Sequence, residues 1–200
     1  MPGKNKFRVW ETALLLALSA AMLCSSWASA ASGRVSDQLV RLHVIASSDS
    51  EYDQAVKLHV RDAVLEYLEP RLSEAPDSRR AGEIISSGLE GIRAAALSAS
   101  EGQAISVELG EEYYPTREYD TFSLPAGKYT SLRVTLGGGE GHNWWCVVFP
   151  PLCLTASDAE DAFEALDGDT RAVISEDGAG VQFKFRLLEL WGELRSLLGI

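Results

Sequence analysis

Basic side chains are scarce in this sequence. Lys and Arg number 18 against 29 Asp and Glu, a formal net charge of −11. Lys4, Lys6, Arg8 and Glu11 leave residues 1–30 slightly positive, so residues 31–200 alone sum to −13. A surface that acidic repels a phosphate backbone, and no Lys/Arg run offers a local exception, which argues against nucleic-acid binding. Cysteine is rarer still, with three in the chain. The length of 200 residues is enough to fold on a hydrophobic core without a disulfide framework. Long apolar runs are confined to the N-terminus, so the remainder is expected to be soluble. Disorder throughout is excluded as well, because 46% of the residues are hydrophobic.

The first thirty residues have their own logic. Lys4, Lys6 and Arg8 precede the apolar run Ala13–Cys24, and Ala28-Ser29-Ala30 follows. Basic, apolar and small-x-small is the order of a secretory signal peptide with cleavage after Ala30. An uncleaved anchor over Thr12–Ala31 is the alternative, since about 20 residues suffice for a span. Both put residues 31–200 outside the cytoplasm as one exported domain, with Ala31–Asp37 a short polar spacer.

Beyond the spacer, Val40–Ala46 reads as a buried strand stopped by Ser47-Ser48-Asp49-Ser50. Ser48/Glu51 and Ser50/Asp53 are two registers for a helix N-cap. Val56, Val60, Ala63, Val64, Tyr67 and Leu68 then trace one face of a helix over Asp53–Glu69, ended by Pro70. A second helix is predicted over Ser78–Ala99. From Ala104 the period drops to two: Ile105, Val107 and Leu109, then Phe122 and Leu124, then Leu132, Val134 and Leu136. Trp144–Phe149 is so apolar that both of its faces are expected to be buried. A short acidic helix (Ser157–Leu166), a polar loop (Asp167–Gly180), a strand (Val181–Phe185) and a closing helix (Leu187–Leu198) complete the reading. The order predicts an α+β single domain, a mostly antiparallel sheet packed with two N-terminal helices and a C-terminal helix.

Chemistry-bearing residues are few. Gly137–Gly141 lacks the Gly-Lys-Ser/Thr ending of a phosphate loop and leads into a strand, so it is expected to be a flexible hairpin loop. Cys146 and Cys153 read first as a disulfide in an exported chain. Two separate thiols are an alternative, as is a metal site completed by His142 with His43 or His59. Catalysis by Cys146 with a histidine is disfavoured by the apolar neighbours Trp145 and Val147. Asp49 and Asp53 lie at a helix start, where acids serve the dipole and the cap. With Ser50, Lys57 and Arg61 they form either a solvated face or a partner-binding one. Adjacent Trp144 and Trp145 must point to opposite faces of their strand, with burial of both in the core the leading expectation, and an exposed indole beside Asn143 would anchor an interface. No cofactor is implied.

Three segments together resemble a known family. They are Leu42–Ser50 with Asp53-Gln54, Lys57 with Val60–Val64, and Asn143-Trp144-Trp145-Cys146-Val147-Val148-Phe149-Pro150-Pro151-Leu152-Cys153. Over Val40–Trp191 the chain resembles stage II sporulation protein R of endospore-forming bacteria. Ser47 departs from the Asn common to that pattern, and His142 from its Lys. The resemblance implies signalling: export from the forespore into the space between the two membranes. There such proteins switch on a membrane-embedded aspartic protease that processes the mother-cell pro-sigma-E factor. It implies no catalytic residues; the acidic charge separately argues against a nucleic-acid partner, and the N-terminal segment is the expected membrane contact. An exported hydrolase using Cys146 or Asp49/Asp53 is the competing reading.

Overall fold

A computed structural model describes residues 9–118 and 123–151. The chain begins with α1 (Val9–Asp37), followed by β1 (Val40–Ile45), α2 (Glu51–Leu72), α3 (Ser78–Ser87) and α4 (Leu89–Ser98). The strands β2 (Ile105–Tyr114), β3 (Arg117–Glu118), β4 (Ser123–Leu124), β5 (Gly127–Leu136) and β6 (Asn143–Phe149) complete it. Four strands form one sheet in the order β2-β5-β1-β6, and β3-β4 is a separate two-stranded ribbon. The pairs β2/β5 and β1/β6 are antiparallel, and the central pair β1/β5 is parallel. The α+β architecture with a mostly antiparallel sheet is thus as the sequence predicts. Helices Ser157–Leu166 and Leu187–Leu198, loop Asp167–Gly180, strand Val181–Phe185, Phe122 and Cys153 lie outside the described residues.

Alternation fixes the register. Leu42 of β1 lies opposite Leu132 of β5, which lies opposite Leu109 of β2. One face of the sheet therefore carries Leu42, Val44, Leu132, Val134 and Leu136. Val56, Val60, Val64 and Leu68 of α2, with Ile85, Ile92 and Ala96, close over it. The buried row on α2 has the 3–4 spacing of an amphipathic helix, so periodicities of two and of 3.6 meet in one core.

Four expectations need correction. The spacer Ala31–Asp37 is the last two turns of α1, with Val35 completely buried. The helix predicted over Ser78–Ala99 is two helices, broken at Gly88. The break turns α4 so that Gly91 faces Tyr67, where an added Cβ would lie 2.0 Å from the phenol oxygen. Helix α2 does not stop at Pro70 but runs to Leu72. The ring forfeits one backbone hydrogen bond there, and burial of Leu72 in the core offsets it. Finally, Gly137–Gly141 is no hairpin loop, because β1 lies between β5 and β6. The segment crosses the end of β1 and packs beneath Ala46–Ser48: Gly141 donates to the Ala46 carbonyl at 3.0 Å, and a Cβ on Gly141 would sit 2.3 Å from the Ser48 oxygen.

Candidate functional site

That crossing builds a rim at the end of the sheet. Ser50 caps α2, accepting from the Asp53 amide at 3.1 Å, so the later of the two capping registers is used. The Ser48 hydroxyl and Gln103 Nε2 both donate to the Asp53 carboxylate, the latter at 2.7 Å. The Ser48 bond above all, with those of Gln103 and Ser50, holds that carboxyl below the usual aspartate range against a modest opposing effect of desolvation. Asp49 turns the other way. It accepts from the backbone N–H of His142 at 2.6 Å and meets the His142 ring nitrogen. Lys57 is 4% exposed and directs Nζ to Gln54 Oε1 at 2.6 Å and to the His142 carbonyl at 3.0 Å. Burial lowers its pKa, and Asp49 partly opposes that.

One turn further along α2, the Arg61 guanidinium lies 4.5 Å from the centroid of Trp144 and also pairs with Asp62 at 2.6 Å. Trp144 is 38% exposed, so the expectation that both faces of β6 are buried fails here. The reason is that α2 presents Arg61 at this edge where an apolar residue would have closed the core. Asp49, Ser50, Asp53, Lys57, Arg61 and Trp144 thus gather around the start of α2 and the start of β6. Asn143 and Trp145 do not join them, since they lie on the alternate face of β6.

On that second face the sequence reading named only His43, Asn143 and Trp145, and placed no role on Arg41, Glu112, Tyr114 or Ser131. His43 is buried, with Nδ1 2.9 Å from Glu112 Oε1 and Nε2 2.9 Å from Asn143 Oδ1. Glu112 Oε2 accepts from Ser131 at 2.9 Å and from Tyr114 at 3.1 Å, and the two hydroxyls are 2.6 Å apart. Burial pushes the Glu112 carboxyl up, but Ser131, His43 and Tyr114 together outweigh it and hold it below the ordinary glutamate range. Burial, aided by the Glu112 charge and resisted by the Ser131 hydrogen bond, pushes the Tyr114 phenol up. Arg41, fully buried, places its guanidinium carbon 3.9 Å from the Tyr114 ring centroid and 5.1 Å from that of Tyr129. Arg117 stacks 3.8 Å over Trp145, which packs beside His43. The signal was legible in principle: Arg41 and His43 alternate with the apolar residues of β1, so both must face away from the helices.

The hydrolase candidates named from the sequence are not brought together. Cys146 is disulfide-bonded and offers no thiol nucleophile, while its expected partner Cys153 lies outside the described residues. Asp49 and Asp53 are held by different partners, so they do not work as an acid pair. Among the described residues no three His, Cys, Asp or Glu side chains are grouped to hold a metal ion. A shallow cleft of about 210 Å³ over Gly110 is lined by Glu108, Glu112, Ser131 and Arg133. Arg133 is paired there with Glu108 at 2.5 Å, and Glu112 belongs to the second-face cluster.

The rim is built largely from the three segments whose pattern is most specific, and the second face takes His43, Asn143 and Trp145 from them. No solved structure matches the chain at a significant level. The profile of the stage II sporulation protein R family matches residues 36–159, from the last turn of α1 to beyond β6. Stage II sporulation protein R of Bacillus subtilis (strain 168) is 40% identical over 138 residues, which is 66% of this chain and 62% of that protein. The matched part thus falls short of two thirds of the relative's length. With the whole sheet and both clusters inside the matched region, the chain belongs to the stage II sporulation protein R family.

Proposed function

We propose that this chain is an exported, non-enzymatic signalling protein of endospore formation. It is made in the forespore and acts in the space between forespore and mother cell. Its partner is the membrane-embedded aspartic protease that processes the mother-cell pro-sigma-E factor. Activation requires that it bind the active state of the protease more tightly than the inactive one. The observation that carries this reading is the exposed indole of Trp144 beneath Arg61, next to the Asp49–His142 clasp. Trp and Arg are both among the residue types enriched in the hot spots that dominate protein interfaces. The clasp, the Ser50 cap and buried Lys57 hold that surface rigid, which lowers the ordering cost of docking.

The test is co-production of this chain, the protease and the pro-sigma factor in a host that does not sporulate, with the processed fraction as readout. Processing is expected to need residues 31–200, and Trp144→Ala is expected to lower it about tenfold or more, as loss of an interface anchor does. Processing that persists without residues 31–200 would sink the reading.

A further inference from the structure

Helix α1 does two jobs that a discarded leader does not do. Its 29 residues are helical without a break. Over Val9–Ser26 it is apolar enough to cross a membrane, and none of that stretch is buried against the rest of the chain. Trp10, Leu16 and Leu23 are 58%, 71% and 73% exposed. At about 1.5 Å per residue those 18 residues reach roughly 27 Å, close to the hydrocarbon thickness of a bilayer. The other end of the same helix is part of the domain. Ser32, Val35 and Ser36 are buried, and Ser32 Oγ donates to the Ala126 carbonyl at 2.8 Å. Ser78 Oγ donates to the Asp37 carbonyl at 2.5 Å, fastening the last turn.

A cut after Ala30 would leave seven residues as the whole of this helix. The amides of Ser32, Gly33 and Arg34 would lose the carbonyls of residues 28–30, beside groups that are buried. The new ammonium would sit at the positive end of the helix dipole. The intact helix avoids all three penalties. We infer that α1 is retained as a membrane anchor whose partner is the lipid bilayer, and that its buried last turns fix how the domain stands on that bilayer.

The topology sets the orientation. Helix α1 seats against Ala126 and Gly127, where β5 begins. Strand β5 ends at Leu136, where the crossing to His142 starts. Ten residues at about 3.3 Å each separate the two ends by roughly 33 Å. Over Val9–Ser26 the helix is exposed, so it leaves the sheet instead of lying along it. The rim of Asp49, His142 and Ser50 therefore points away from the anchoring membrane. In the proposed function it reaches toward a partner in the facing membrane, and that last step alone rests on the proposed function. Lys4, Lys6 and Arg8, preceding the span, orient it with the domain outside.

The test needs no protease. The full chain is produced in a Gram-positive host, membranes are extracted with alkaline carbonate, and intact mass is measured. The expected product has the uncut mass, at least about tenfold enriched in the extracted membranes, as a spanning helix holds. Ala30→Phe, which blocks signal peptidase, should alter the mass only by the substitution itself and leave the fractionation unchanged. A soluble product beginning at Ala31, or one that Ala30→Phe converts to a membrane-bound form, overturns the inference. So does release by carbonate. Orientation is read with Cys24→Ser protein labelled at Gly138→Cys or Lys128→Cys in phosphatidylglycerol vesicles holding nitroxide lipids. Quenching should be several-fold stronger at position 128, and equal quenching overturns the orientation. Because pro-sigma processing is not measured, failure here leaves the docking reading to its own test.

Discussion

The two faces of the sheet are held by different physics. On one, Leu42, Val44, Leu132 and Val134 meet α2 and α4 through apolar contact that has no required direction. On the other, buried His43, Tyr114 and Ser131 and half-buried Glu112 are joined by hydrogen bonds at defined distances, and the buried Arg41 guanidinium stacks on Tyr114. The apolar face supplies most of the free energy of folding. The polar face supplies specificity, because a one-residue slip of β2 against β5 would carry Glu112 and Tyr114 to the opposite side. Both faces sit on the same four strands, so the difference lies in side chains alone.

This contrast can be broken experimentally. The largest effect should come from the apolar face. Leu132→Ala, at a fully buried position on the central strand, is expected to cost about 3 kcal/mol, seen as a lower urea midpoint. On the polar face, Glu112→Gln should cost less, roughly 1–3 kcal/mol, because the amide still accepts some of the same bonds but no longer matches His43 in charge. That substitution also sharpens the comparison through pH. The native Glu112 carboxyl titrates below its ordinary value of 4.5. In that window the unfolded chain binds more protons, so the stabilisation by Glu112 is intact above about pH 5 and lost as pH falls through the native value. Urea midpoints between pH 6 and pH 3 should show a shallower acid loss in Glu112→Gln than in the parent. Equal slopes would mean that the polar face is not coupled to folding. The smallest stability effect belongs to the rim. Trp144→Ala should change stability by under about 1 kcal/mol, being half in solvent, while lowering pro-sigma processing strongly.

Much of the apolar face was legible in sequence. Val56, Val60, Val64 and Leu68 recur at helical spacing, and Leu132, Val134 and Leu136 alternate, so each element declares its own buried side. Part of the rim was legible too, because Ser50 and Asp53 have capping spacing and Trp144 and Trp145 must diverge. The clasp was not. Asp49 and His142 are 93 positions apart, and only the crossing of β1 by Gly137–Gly141 brings them together. The polar face escaped for the same reason: Glu112 is 69 positions from His43 and 19 from Ser131. Nor did local pattern reveal that residues 31–37 are structural. Ala31-Ser32-Gly33-Arg34-Val35-Ser36-Asp37 has no apolar stripe, and a single Val and two hydroxyls suffice once Ala126 is beside them.

By itself the sequence determined the period of the longer core elements, the basic-then-apolar entry to the chain, the family signature and an acidic body beyond residue 30. Those are properties of neighbours along the chain, where side-chain spacing and charge act without reference to anything distant. Only the tertiary structure decided that β1 and β5 lie parallel and that the glycine segment crosses β1. It alone sent Arg41 and His43 into a polar interior and sealed the end of α1 to the domain. Such choices depend on which strands become neighbours, and strand pairing is settled by the burial of the whole sheet at once.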